Sequence, residues 1–345
     1  MSAEQYNFKI LDCSLRDGGY VNDFAFGRNA IHQIVGHLCG ANIDLIELGF
    51  LKDGEHKGGL YDKTLFNFVH EAEQYTRDNN NFCLMIRPDW YDISKLEDCV
   101  GNVTSLRFAF HYRDLDLTLK QAQIAREKGY KVFLNPVNVL SYSDEILNEL
   151  LPVLNDFKPK GVSIVDTFGS MMPLDLEKVF GAFNSKLDPS IAIGVHLHEN
   201  LSISLALASN FVEMVKDSRP AYIDSSVLGI GRIPGNLCTE LIANYLNLRL
   251  NKKYDLQHIY FLIDHAIGDI RRRFKWGYMP AYAITGFEQI HRSYAEYLMG
   301  LKVPLQDISN ILNEIKENGD HEAFNESAVE AIYNRFLDEK SRQSF

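Results

Sequence analysis

The sequence predicts an α/β fold, a closed (β/α)8 TIM barrel followed by a C-terminal helical extension. Three observations carry that expectation. Short β-rich runs alternate with amphipathic stretches, and eight such runs fall between Phe8 and Val227. Polar residues cluster just after the C-terminal ends of many runs, the rim on which barrel enzymes gather their catalytic groups. An open doubly wound sheet would show a glycine-rich phosphate loop after its first strand with an acidic residue about 20 residues further on, and Gly18-Gly19 does not meet that pattern.

The expected strands are Phe8 to Asp12, Ile43 to Leu48, Phe82 to Ile86, Ser105 to Phe110, Lys131 to Leu134, Gly161 to Val165, Ala192 to Leu197 and Ala221 to Val227. Between them, apolar residues at three- and four-residue spacing predict helices. These cover Ala30 to Cys39, Thr64 to Tyr75, Leu117 to Lys128, Ser143 to Leu154, Leu174 to Phe183, Leu201 to Val215 and Leu237 to Leu248. Past about residue 252 the strand rhythm stops, giving a barrel domain over 1–252 and a helical extension over 253–345. The extension reads as helices at Ile259 to Ile270, Ile284 to Leu298 and Ile308 to Ile315, then a charged tail. It also holds an aromatic turn, Phe274-Lys275-Trp276-Gly277-Tyr278-Met279-Pro280-Ala281-Tyr282.

Composition narrows the function. Of 345 residues, 46% are hydrophobic and 23% charged, enough to bury a full core. Lys and Arg number 35 against 46 Asp and Glu, so the net charge of −11 favours neither nucleic acid nor an anionic membrane. The five cysteines are widely spaced with no C-x-x-C pair, which argues against a disulfide framework or a zinc knuckle and for a reducing cytoplasm. The segment Met1 to Phe8 is polar and no apolar run reaches the roughly 18 residues that span a bilayer, so neither signal peptide nor anchor is expected.

Two polar segments carry chemistry. His196 and His198, one residue apart at the end of the seventh expected strand, point to the same face and can chelate one ion. Asp17, past the end of the first strand, supplies a carboxylate to the same rim, and Arg16 beside it can meet negative charge on a substrate. A buried arginine next to a carboxylate is costly unless each has a partner, which a metal and an anionic substrate would supply. Glu47 is either the partner of the Arg16 guanidinium or a polar cap on the second strand. Two imidazoles and one carboxylate leave about three open positions on an octahedral ion, suiting Mn²⁺, Mg²⁺ or Co²⁺ and also the Fe²⁺ of oxygenases; the strand–helix alternation speaks against the last. The loop from Gly229 through Gly231 to Asn236 either binds an anion with its amides or makes a tight connection with Asn236 as helix N-cap. Asp166-Thr167 is either part of a network behind the site or a helix-entry turn.

With these residues in hand, the chain resembles the DRE-TIM metallolyases, the HMG-CoA lyase-like superfamily, closest in type to the 4-hydroxy-2-oxovalerate aldolases. The matching segments are Leu15-Arg16-Asp17-Gly18, Glu47, Asp166-Thr167-Phe168-Gly169, His196-Leu197-His198 and Gly229-Ile230-Gly231 through Gly235-Asn236. The resemblance implies that Asp17, His196 and His198 bind a divalent metal, Mn²⁺ or Mg²⁺ foremost with Co²⁺ or Zn²⁺ also compatible, and that Asn236 adds a ligand. It implies that Arg16 stabilises an enolate and that Glu47 orients Arg16. Tyr20 stands where the aldolases carry a histidine and the lyases and synthases a glutamine, and Tyr278 or Tyr282 matches a tyrosine placed over the site. Asp166, Thr167, Gly229 and Gly231 fall among the substrate-facing segments. The expected activity is metal-dependent cleavage or formation of a 4-hydroxy-2-oxo acid through a pyruvate enolate. The alternatives are an acyl-CoA condensing enzyme or lyase of the same superfamily, and a non-catalytic barrel whose C-terminal helices dock a partner enzyme. Those helices also suit a homo-oligomer.

Overall fold

Strand β1 (Phe8–Asp12) pairs in parallel with both β2 (Leu45–Leu51) and β9 (Ala221–Ser225), and this double pairing closes the sheet on itself. The computed structural model describes residues 8–56, 62–78, 81–215, 219–319, 321 and 323–343. After β2 comes a two-residue strand, β3 (Leu65–Phe66), then β4 (Phe82–Ile86), β5 (Val103–Phe110), β6 (Lys131–Pro136), β7 (Gly161–Val165) and β8 (Ala192–His196). Every pairing between these strands is parallel, and with β3 set aside as a side pairing on β2 the ring runs in chain order. The eight barrel strands lie where the β-rich runs predict them. Three of them match at both ends and the others differ by at most three residues, β2 running on to Leu51 and β8 stopping at His196. The polar segment 1–7 lies outside the described residues.

The connections are helices α1 (Arg28–Gly40), α2 (Val69–Glu73), α3 (Leu115–Glu127), α4 (Asp144–Phe157), α5 (Pro173–Lys186), α6 (Ser204–Val215) and α7 (Thr239–Leu250). Each turns an apolar stripe inward. In α1 the stripe is Ile31, Ile34, Val35 and Leu38, all fully buried, at about 1.5–3 kcal/mol for each such side chain withdrawn from water. Helix α2 is much shorter than the Thr64 to Tyr75 pattern predicts. Leu65 and Phe66 join the edge of β2 instead, and the Glu71 carboxylate accepts from the Asn67 and Phe68 amides, so the helix starts only there.

Beyond the ring come α8 (Leu256–Leu262), a π-helical turn over Ile263–Ile267, α9 (Gly268–Arg273), α10 (Pro280–Glu288), α11 (Ser293–Gly300), α12 (Leu305–Glu317) and α13 (Glu326–Gln343). The predicted helix Ile284 to Leu298 is two helices, broken at Gln289 in the left-handed region (φ 56°). The charged tail is helix α13, whose Val329 and Ile332 pack into the helical core. Although the strand rhythm ends before residue 252, the packing changes later. Tyr254, Ile259, Leu262, Ile267, Ile270 and Trp276 belong to the barrel core, and a separate helical core begins at Ala281. The aromatic turn joins the two: Trp276 Nε1 donates to the Leu228 carbonyl (2.9 Å) and the Gly277 amide to Pro234 (2.7 Å). Arg292 Nη1 donates to the Ile233 carbonyl (3.2 Å), and Asn200 Nδ2 to Tyr282 (3.1 Å). Among the described residues no helix is long and apolar enough to cross a membrane.

At the end of β1, the fully buried Asp12 accepts from the Ser14 amide (2.9 Å) and from Thr239 Oγ1 at the start of α7 (2.7 Å). Burial pushes its carboxyl up to about 6 against those bonds. A carboxyl raised in the folded state stabilises most below its unfolded value and loses that contribution as pH rises through about 6. The stability of the parent chain relative to Asp12→Asn should therefore fall by about 2 kcal/mol from pH 4.5 to 7, read by urea unfolding with chelator present. A pH-independent difference would exclude the raised carboxyl.

Candidate metal centre

After β1 the backbone turns sharply, with the Arg16 and Asp17 amides both donating to the Cys13 carbonyl (3.1 and 2.8 Å), which delivers the two side chains to the C-terminal rim of the barrel. His196 ends β8, and His198 two residues on faces the same side. All three of Asp17, His196 and His198 are buried, and one ligand atom from each lies within 4.8 Å of the others. Each imidazole is held from behind. His196 Nδ1 donates to Asp224 Oδ2 (3.0 Å) and His198 Nδ1 to the Asp166 carbonyl (2.7 Å), which leaves both Nε2 lone pairs for a cation.

Two buried atoms lack what a cation would give. His198 Nε2 has no hydrogen-bond partner, and neither has Asn236 Oδ1. An antiparallel bridge sets Asn236 beside His198, and its Nδ2 donates to Asp17 Oδ2 (2.8 Å). Burial, helped by His196, lowers the His198 imidazole to about 3, so it is neutral and free to ligate. Burial opposes charge on Asp17 too, but Arg16, the two imidazoles and the Asn236 bond hold its carboxyl well below the usual range. The donor set is that of a hard or borderline divalent ion.

Behind the trio runs a buried chain of charge. Arg16 Nη1 pairs with Asp17 and its Nε donates to Glu47 Oε2 (2.6 Å). Arg107 Nη1 donates to Glu47 Oε1 (3.0 Å) and its Nη2 to Asp224 Oδ2 (2.5 Å). Burial works against both guanidinium ions, yet their carboxylate neighbours raise both above the ordinary arginine value. Glu47 thus takes the first of its two readings, as partner of Arg16, and also pairs with Arg107, which the sequence does not single out.

The other sequence-selected residues divide. Tyr20 lines the pocket over the trio, edge-on to Phe24 (5.2 Å) and Phe50 (6.2 Å). Although Tyr20 is 38% exposed, crowding around its hydroxyl and the Asp17 charge raise the phenol, against Arg16, Arg232 and Arg87, so it keeps its proton at neutral pH. Thr167 lines the same pocket and accepts from the Asn138 amide (2.6 Å). Asp166 does both things the sequence allows. Its carbonyl orients His198, and its carboxylate, pushed up to about 7 by burial, accepts from Ser170 and Met171 in the turn into α5. Gly231 makes room: a Cβ there would stand 2.3 Å from Asn236 Nδ2 and 2.7 Å from Asp17 Oδ2. At Gly229 (φ 63°) the Asn236 amide closes the loop on the carbonyl (3.1 Å). Tyr282 is buried in the helical core with its hydroxyl donating to Glu296 (3.3 Å), away from the pocket walls, and Tyr278 is exposed. Asp224 and Arg107, missed in the sequence, show there only as single charges inside the apolar runs of β9 and β5.

The HMGL-like family model matches residues 7–265. The chain belongs to the HMGL-like family. It is 26% identical over 264 residues to a 4-hydroxy-2-oxovalerate aldolase of Bacillus cereus, covering 75% of this chain and 74% of that one. An oxaloacetate decarboxylase of Mycobacterium tuberculosis is 26% identical over 298 residues, 84% of each chain. Among solved structures, the carboxyl transferase domain of Rhizobium etli pyruvate carboxylase with oxamate and biotin superposes with a TM-score of 0.70 at 14% identity. It covers 99% of this chain and 61% of that one, a likeness of fold alone. Family membership together with the buried trio makes this HMGL-like protein a metal-dependent lyase.

Asp224 fixes the tautomer and direction of His196, so Asp224→Asn should weaken Mn²⁺ binding about 10- to 100-fold in competition with a fluorescent chelator. Unchanged affinity in a folded variant would remove Asp224 from the centre.

Proposed function

We propose that this HMGL-like protein is an aldolase that cleaves or forms a 4-hydroxy-2-oxo acid through a pyruvate enolate, with residues 1–252 as catalytic barrel and 253–345 as helical extension. The observation that carries the reading is Arg16, held by Glu47 and Asp17 at the edge of the trio in a pocket that it lines. Asp17, His196 and His198, with Asn236 Oδ1 as a further donor, would hold Mn²⁺ or Mg²⁺, or Co²⁺ or Zn²⁺, and a cation there supplies Lewis acidity to a 2-oxo group.

The chain's own groups do the rest. Two of the three Arg16 nitrogens are engaged by carboxylates, which fixes the planar fork, and Nη2 has no protein partner among the described residues. That N–H is the donor for the oxygen on which charge develops as the C3–C4 bond breaks, a preorganised interaction that costs no reorganisation at the moment of reaction. As the C4 hydroxyl becomes the aldehyde carbonyl its proton passes to solvent in the open pocket, and the enolate left behind takes up one proton at C3, so the step is balanced in protons. Tyr20, protonated at neutral pH and standing in the pocket, is the group that gives a proton to C3. Thr167 lies against the substrate, while Asp166, Gly229 and Gly231 hold the ligands in place from behind. Tyr282 anchors the helical extension that covers the loop after β9. All five cysteines are free, which accords with a cytoplasmic setting. The extension is the surface on which a further copy or a partner enzyme would dock.

Pyruvate release from a panel of 4-hydroxy-2-oxo acids tests the reading. Mn²⁺ should restore turnover at least 100-fold over chelator-treated protein, and no pyruvate from any of them with metal bound would sink the aldolase assignment in favour of acyl-CoA condensation. Arg16→Lys keeps the charge and loses the fork, so kcat should drop about 100-fold with Mn²⁺ still bound. Tyr20→Phe should lower kcat by about 100-fold with KM little changed, and a normal kcat would clear Tyr20 of proton transfer.

A further inference from the structure

The pocket over the trio is lined by three guanidinium-bearing residues, Arg16, Arg87 and Arg232, against a single carboxylate, Asp17. Two of the three are neutralised. Arg16 has Glu47 and Asp17, and Arg87 makes a double contact with Asp89 (3.1 and 2.9 Å) while stacking on the Trp90 ring (4.6 Å). Arg232 differs. Its main-chain N–H donates to Asp17 Oδ2 (3.2 Å), which pins the residue beside the trio, but no carboxylate meets its guanidinium among the described residues. The guanidinium instead donates from Nη2 to His291 Nε2 (2.9 Å) on the helical extension.

His291 is a neutral acceptor. Burial, then Arg232 and Arg292, lower it to about 4. The pairing therefore satisfies one N–H and aims the fork without cancelling its charge. Arg232 lines the same pocket as Asp17, His196 and His198, so its charge stands at the reaction site and not on the outer surface. A half-buried, oriented and uncompensated guanidinium is what a protein provides for an anion that arrives from outside. In the aldolase reading the cation and Arg16 already take the 2-oxo carboxylate end, so Arg232 is left over.

We infer that the substrate is a 2-oxo dicarboxylate, and that Arg232 receives the carboxylate at the end remote from the 2-oxo group. The inference rests on the 2-oxo acid reading above and deepens it. A carboxylate fits better than a phosphate, because with Nη2 turned to His291 one planar edge of N–H groups remains, which matches two coplanar oxygens and leaves a third unserved.

The test uses two acids with five carbons each, 2-oxoglutarate and 2-oxovalerate, which differ in the terminal carboxylate. Their binding to the Mn²⁺-loaded full chain is measured by calorimetry, for the parent protein, Arg232→Gln and Arg232→Lys, with melting curves to establish that each variant is folded. The parent should bind 2-oxoglutarate at least tenfold tighter than 2-oxovalerate. In Arg232→Gln that ratio should collapse to within twofold, and Arg232→Lys should retain part of it. Should Arg232→Gln not fold, the drop in Arg232→Lys decides. Equal affinity of the parent for both acids, or a preference that survives both substitutions, overturns the inference and leaves Arg232 as a strut between barrel and helices. Failure of both acids to bind with Mn²⁺ in place overturns the 2-oxo acid reading as well, so the two failures are told apart.

Discussion

One run of alternating buried charge holds the working end of the barrel: Asp17, Arg16, Glu47, Arg107, Asp224 and then the His196 imidazole, each bonded to the next. Its two ends meet again, since Asp17 and His196 belong to the same trio. Three carboxylates face two guanidinium ions, which leaves one net negative charge in a place water hardly reaches. Buried charge is tolerated only when paired, and deleting one member of such a pair costs about 3–5 kcal/mol. The gap at the ends of the run is therefore where a cation is most strongly called for. The same run explains why Arg16 needs no substrate to find its direction, since Glu47 and Asp17 have set its torsions in advance.

The barrel is legible in the sequence because its signals are local. Each strand is a short apolar run and each helix a nearby amphipathic stripe, and chain order then fixes their neighbours in a parallel ring. Asp17, His196 and His198 are legible for a related reason: each sits just past a strand end, and the one-residue spacing of the histidines states their common face. Arg107 and Asp224 are not. Each is a lone charge inside an apolar strand, and the partner that justifies it lies 117 residues away in the chain, so neither segment alone says whether the charge is buried. The helix predicted over Thr64 to Tyr75 fails through competition, because the open edge of β2 takes Leu65 and Phe66 before a helix can form. Helix α13 hides behind its charges, its apolar positions being few although they are spaced to pack on α12.

Function is divided between two structural units that meet at one short loop. The barrel supplies the trio and the charge behind it, the aromatic turn supplies Trp276 and the helical core supplies His291 and Arg292, and all three grip the segment from Leu228 to Asn236. Asn236 and Gly231 on that segment touch the Asp17 carboxylate or leave it room.

That shared loop has a thermodynamic consequence. A ligand that steadies the loop from the side of the trio also steadies the surface on which Trp276 and Arg292 are seated, and helices seated there narrow the conformations from which the trio must select. Any such coupling is reciprocal, the same free energy seen from either side. The helices α10 to α13, remote from the chemistry, are thereby joined to the trio through one short segment of chain.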